Sequence, residues 1–322
     1  MIKHNRKWRN WALGAGLALA ALTAQAQSVA VVSIVEHPAL DAFRDGVAEA
    51  LAEAGYDKNN KDFTWQYQSA QGNNAVAAQI ARKFVGDKPD VIVAIATPAA
   101  QAVVASTRSI PVVYGAVTDP VAAQLVPSLE PSGTNVTGVS DALPIDEQIE
   151  LIRQVVPGAK RIGVVYNPGE ANSVAVVEQL RAVLPQHGLS LVGASAPRTL
   201  DVGAAARSLI GRVDAIYTST DNNVVSAYEA LVKEGNDADI PLIAADVDSV
   251  KRGAIAALGQ KYHEMGKQAG RMAVRIIKGE KPGEMPSMLG RDLELHLNRT
   301  AAREQGVELP QALLDKAAVV LP

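Results

Sequence analysis

Short runs rich in Val and Ile alternate with longer stretches rich in Ala and Leu along most of the chain, as in successive βα units. Residues 28–35 form a continuous apolar run, which predicts a strand buried on both faces. His37-Pro38 interrupts it. A helix is predicted over 39–54, with Leu40, Phe43, Val47, Leu51 and Ala54 along one face and Gly55 at its end. Further strands are predicted over 63–68, 91–96, 110–115 and 135–139, with helices over 75–85 and from Pro98 onward. The second half restarts this order. Strands over 161–166, 189–194, 214–217, 240–244 and 254–257 alternate with helices over 172–184, 202–209, 222–233 and 261–278. Strands of this kind, separated by helices, predict an α/β fold with parallel sheets covered by helices on each side.

The two halves echo one another. Asp90-Val-Ile-Val-Ala-Ile-Ala-Thr97 leads through a helix to Ile110-Pro-Val-Val-Tyr-Gly-Ala-Val-Thr-Asp119. Asp214-Ala-Ile-Tyr-Thr-Ser-Thr220 leads through another to Ile240-Pro-Leu-Ile-Ala-Ala-Asp-Val-Asp248, 124 to 130 residues further on. This repetition predicts two similarly wound lobes facing one another across a cleft. No low-complexity linker separates them. The candidate hinges are short, at 140–144, 258–261 and 283–290, and several crossings between lobes suit closure around a ligand.

Composition and charge change this picture at one end of the chain. Lys3, Arg6, Lys7 and Arg9 precede an apolar run over 11–23, and Ala24-Gln25-Ala26 supplies a small-x-small cleavage pattern. Residues 1–26 are therefore expected to be a cleavable export signal, too short in its apolar part to span a bilayer. Cleavage takes the formal charge from −3 to −7, because four positive charges and no negative ones leave with the signal. At 322 residues and 48% hydrophobic, the chain can bury sizeable cores in about two domains. It has no cysteine, which excludes disulfides, thiolate metal sites, a cysteine nucleophile and a lipoprotein anchor. An acidic net charge gives no footprint for nucleic acid.

Candidate chemistry gathers just after the predicted strands, where open α/β sheets bind ligands. In the first half these residues are Glu36, Ser69, Thr97 and Thr118; in the second they are Tyr166, Asn172, Ser173, Thr220, Asp221, Asn222 and Asp246. Thr97 is expected at the N-cap of a helix whose first residue is Pro98, an end that offers free N–H groups to a carboxylate. Asp221-Asn222 and Asn172-Ser173 are expected to open helices in the second half. Asp246 is a candidate acceptor for an ammonium group, and Tyr166 for an aromatic wall. Enzyme signatures are missing: His263-Glu264-Met265-Gly266-Lys267 lacks the second His of a zinc protease, and there is no G-x-S-x-G elbow or Walker loop.

Several of these stretches, in order, resemble the ABC-transporter substrate-binding proteins. They include Val35-Glu36-His37-Pro38-Ala39-Leu40-Asp41, Ala96-Thr97-Pro98-Ala99-Ala100-Gln101 and Val117-Thr118-Asp119-Pro120. Asn135-Val-Thr-Gly138-Val139-Ser140, Tyr166-Asn167-Pro168-Gly169-Glu170-Ala171-Asn172-Ser173 and Thr220-Asp221-Asn222-Asn223-Val224-Val225-Ser226 continue the match. The resemblance implies a type I periplasmic-binding fold: two Rossmann-like lobes joined by three crossings, 27–141 with 259–284 and 142–258 with 285–322. It implies a monomeric periplasmic receptor without cofactor, metal or chemistry of its own, which delivers a small molecule to an ABC permease and ATPase. Members associated with tryptophan and its relatives point to an amino-acid-like ligand, its carboxylate at Thr97 and its ammonium at Asp246 or Asp221. A sugar or nucleoside receptor of the same fold is the alternative, with a periplasmic hydrolase behind it.

Overall fold

The computed structural model describes residues 26–290 and 293–322, so the expected export segment lies, apart from Ala26, outside the described residues. In the first half, strands β1 (Gln27–Ser33), β2 (Phe63–Ser69), β3 (Val91–Ile95), β4 (Val112–Gly115) and β5 (Val136–Ser140) alternate with helices α1 (Pro38–Glu53), α2 (Asn74–Asp87) and α3 (Thr97–Ser106). The chain continues through α4 (Ile145–Val155), β6 (Arg161–Tyr166), α5 (Ala171–Val183), β7 (Ser190–Ser195), α6 (Val202–Arg207) and β8 (Ala215–Thr218). Next come α7 (Asn222–Ser226), α8 (Tyr228–Asp237), β9 (Leu242–Ala244), α9 (Asp248–Lys251), β10 (Ala256–Gln260) and α10 (Tyr262–Ile277). The C-terminal stretch holds β11 (Met288–Leu289), β12 (Leu293–Asn298), α11 (Arg299–Glu304), α12 (Gln311–Leu314) and β13 (Val319–Leu321).

Two sheets result, in the orders β2-β1-β3-β4-β5-β11 and β7-β6-β8-β9-β10-β12-β13. Their first five strands follow the same path, and the echoing segments occupy its third and fourth strands. All pairings are parallel except β10 with β12. β3 reads Val-Ile-Val-Ala-Ile with every residue fully buried, because helices cover both faces of a doubly wound sheet. In the second lobe, successive residues of β8 feed two separate cores. Ala215 and Tyr217 pack with Ile149, Ile162 and Leu180, while Ile216 packs with Tyr228, Leu231 and Leu242.

The structure departs from the predicted pattern at several points. Met288–Leu289 pair with Val139 and Ser140 in the first sheet, so the third crossing falls after Leu289 and not at 284–285. The helix expected over 222–233 is two helices, α7 and α8, broken at Ala227. The unpredicted α4 carries a clear helical period, burying Gln148, Ile149, Leu151, Ile152 and Val155.

Three crossings meet at one side chain. Gln260, at the end of β10, donates its amide to Gly290 O at 2.9 Å and Ala142 O at 3.5 Å, linking the second crossing to the third and the first. Close beyond it, α10 lies on α1 with almost no separation. A Cβ on Gly266 would stand 2.0 Å from Phe43 O, and one on Gly46 would stand 2.1 Å from His263 O. Alanine favours a helix over glycine by about 1 kcal/mol, whereas overfilling a packed contact costs about 1–3 kcal/mol or more. Gly266→Ala should therefore lower stability in urea melts. Gly86→Ala, with open space at the exposed end of α2, should raise it by up to about 1 kcal/mol.

Candidate functional site

Both sheets reverse direction after their first strand, and the loops leaving the carboxyl ends there face each other across a cleft. Thr118, just past β4, and Thr220, just past β8, bring their hydroxyl oxygens to 3.0 Å. Thr118 donates its one hydroxyl proton to Asp141 Oδ1 at 2.9 Å, so across the gap it is Thr220 that donates. Asp141 Oδ2 accepts from Tyr262 OH at 2.8 Å. The series Thr220, Thr118, Asp141, Tyr262 thus joins the second lobe to the first and both to the hinge.

Two cavities adjoin this series and share Asp141 and Thr220. The larger, about 60 Å³, is walled by Ala142, Leu143, Ile145, Val176, Ala245 and Tyr217, with Ser219 among them. The smaller, about 10 Å³, is lined by His37, Leu40, Ala116, Asn222, Asp246 and Tyr262. A water needs about 10–15 Å³ on this measure, so the lobes must part to admit a molecule of a dozen heavy atoms. Ala96, the N-cap of α3, donates its N–H to Gly115 O, next to Ala116 of the smaller cavity. Ala96 and Ala116 have φ of 73° and 52°, left-handed values that cost a non-glycine residue conformational energy.

The electrostatics of the cleft are acidic. Asp141 and Asp246 are both buried, and burial raises the pKa of each. Their hydrogen-bond donors are neutral. Asp246 accepts from the Ser249 N–H at 2.9 Å and hydroxyl at 2.6 Å. Burial and the Arg252 charge lower His37 to about 3, so it stays neutral. Its Nδ1 accepts a long 3.5 Å bond from Leu40 N–H at the start of α1, which places the ring hydrogen on Nε2. Among the described residues, no group of three or more His, Cys, Asp or Glu side chains could hold a metal ion.

The structure sorts the expected site residues into groups. Thr118, Thr220, Asn222 and Asp246 line the cavities. Thr97 is buried but lines neither cavity and is the first helical residue, not the N-cap; Ala96 takes that place, and among the described residues the Thr97 hydroxyl has no hydrogen-bond partner. Asp221 does cap α7, accepting from Val224 N–H, and also takes the Asn167 N–H and the Ser173 hydroxyl. Asn172 donates to Thr220 O at 2.9 Å and to Glu170. The helix it was expected to open starts at Ala171, with Glu170 in the capping position. Asp221, Asn172 and Ser173 therefore brace the Thr220 loop from behind and line neither cavity. Tyr166 turns toward β7, where a Cβ on Gly193 would stand 3.2 Å from its ring, and forms no wall of either cavity. Glu36 and Ser69 sit on the rim of the first lobe around Gln71, with Glu36 exposed. Sequence reasoning passed over Asp141, Tyr217, Ser219 and Tyr262. The available signal was an acid placed directly after an apolar strand, at a segment already read as a hinge.

Two such lobes, crossed three times by the chain, have the type I periplasmic-binding fold of solved solute-binding structures. The chain belongs to the ABC transporter substrate binding protein family, whose model matches residues 28–321. It is 39% identical over 272 residues, 84% of this chain and 79% of the relative, to the tyrosine-binding protein of Clostridioides difficile (strain R20291). Its structure is similar to that of an ABC domain in complex with L-Trp from Streptococcus pneumoniae, with 32% identity and a TM-score of 0.88. The match covers 92% of this chain and 99% of that one. A ligand-free, open substrate binding protein with adhesive properties from Clostridium difficile is 37% identical over the same shares but fits less well, at a TM-score of 0.69.

Behind the Thr220 loop, Glu170 accepts from Asn222 N–H and from both Asn222 and Asn172 amides. Burial and the charge of Asp221 push it up to about 7. A carboxyl whose pKa is higher folded than unfolded binds more protons in the folded state, so its contribution to stability falls as pH rises from about 4.5 to 7. Glu170→Gln should remove this loss. Melting curves should show the variant gaining on the wild type between pH 5 and pH 8.

Proposed function

We propose that the protein is the periplasmic receptor of an ABC importer for an aromatic amino acid, held between the lobes and released to a membrane permease and its ATPase. The observation that carries this reading is the pair of buried carboxylates, Asp141 and Asp246, with neutral hydrogen-bond donors at the smaller cavity. None of the hydrogen-bond donors to either acid carries a charge, so an ammonium group brought there offsets the cost of holding both acids ionised away from water. The carboxylate is assigned to the first turn of α3, which offers free N–H groups and the buried Thr97 hydroxyl, without a hydrogen-bond partner among the described residues. The ring is assigned to the larger cavity, among Leu143, Ile145, Val176 and Tyr217. The similarity to a tyrosine-binding protein and to a structure in complex with L-Trp supports the ligand class.

Closure follows as a population shift. The ligand touches Asp246 of the second lobe and Asp141 of the first together only when the lobes meet, so it binds the closed form better.

A thermal-shift screen of the chain from Gln27 onward checks this. At a hundredfold excess over Kd, a ligand adds about 2.7 kcal/mol, which is roughly 5–10 °C in melting temperature for a domain of this size. An aromatic L-amino acid should give such a shift, and Asp246→Asn should abolish most of it. Acidification should weaken binding by protonating the carboxylates, and because burial raises both, the loss should begin above the ordinary carboxylate range. A shift with a sugar and none with any amino acid overturns the ligand class.

A further inference from the structure

The larger cavity is lined by apolar side chains and polar groups in similar measure, and nearly all of the buried polar groups already have partners. Thr118, Asp141 and Thr220 bond to one another. Tyr217 OH donates to Gln148 Oε1 at 3.2 Å, deep behind the wall. Gln179 lies at the exposed mouth. Ser219 is different. It is 1% exposed, it lines the cavity, and among the described residues its Oγ has no hydrogen-bond partner. Buried hydroxyls are almost always paired, and one left alone carries the cost of its desolvation. An alanine here would fill nearly the same space without that cost. The hydroxyl stands among Leu143, Ile145, Val176 and Ala245, where the reading above puts the ligand's ring.

We propose that Ser219 reads the ring of the ligand. Its hydroxyl accepts a hydrogen bond from a donor on the aromatic side chain, a phenol O–H or an indole N–H, and so sets the receptor against phenylalanine. The inference rests on the assignment of an aromatic amino acid to this cleft and adds which member of that class is chosen. The physical basis is asymmetric. A ring that brings a donor completes the Ser219 hydroxyl, whereas a bare phenyl ring seals it away from water with nothing to bond.

The test is calorimetric titration of the wild type and Ser219→Ala with L-tyrosine, L-tryptophan and L-phenylalanine. In the wild type, the tighter of the two ring-donor ligands should bind at least about tenfold more strongly than phenylalanine, the size of one hydrogen bond to a buried group. In Ser219→Ala that preference should collapse to within about twofold, and whichever of tyrosine and tryptophan loses affinity identifies the donor as phenol or indole. The melting temperature of Ser219→Ala without ligand should equal or exceed that of the wild type, because an unsatisfied hydroxyl has been removed. Equal binding of all three ligands by the wild type overturns the proposal and leaves the receptor reading standing. So does an equal loss for all three in the variant, or a variant that melts well below the wild type. If none of the three binds the wild type, both fall together.

Discussion

Asp141 is the point on which the architecture turns. It stands where the chain first leaves one sheet for the other, is buried, and spends its two oxygens on hydroxyls from different places. Thr118 comes from the first lobe's cleft loop, and Tyr262 opens the helix that follows the second crossing. Through Thr118 the network also reaches Thr220 on the opposite lobe. A carboxylate in that setting is costly to ionise, and the cost falls only when a positive group arrives or the acid takes a proton. Charge in the cleft and the geometry of the hinge are thereby the same problem.

The lobes on either side are stiff enough to make this matter. α1 and α10 approach so closely that the backbone of one stands where a side chain of the other would be, at Gly46 and Gly266. Lys267 adds ion pairs to Glu49 and Glu53 on the rim of that contact, though exposed pairs of this kind contribute little. The second lobe gains comparable rigidity from polar bonding. Asp221 gathers Asn167, Ser173 and Val224, and Glu170 gathers Asn222 and Asn172, so the loop bearing Thr220 is held from beneath. Both acids sit in burial that raises them, which is the cost of holding that loop so firmly.

Much of the fold was legible because its strands are buried on both faces and written in unbroken apolar runs, as in β3. The repeat of strand, threonine, helix and Ile-Pro strand marked the third and fourth strands of each sheet correctly. What escaped was set by contacts distant in sequence. β11 is two residues long and exposed, and only its pairing with β5 makes it a strand. The candidate site divided along similar lines. Thr118, Thr220, Asn222 and Asp246 line the cavities because they follow strands at the cleft-facing edge. Tyr166, Asp221 and Ser173 satisfy the same rule yet turn inward, since residues just past a strand can face either the gap or the lobe beneath it. Asp141 was legible only as an acid after an apolar strand, and Ser219 needed the tertiary structure, because burial and the absence of a partner are not properties of a sequence.

The Gln260 amide has a bearing on how such a chain can change. With the first and third crossings both bonded to this one side chain, the hinge has few independent degrees of freedom, and its connections must bend in concert. Lengthening one crossing alone breaks the bond that ties it to the others. An insertion at 141–144 or at 260–261 would shift one partner of the Gln260 amide against the other, so the spacing of these crossings is set by a bond as well as by the length of the chain.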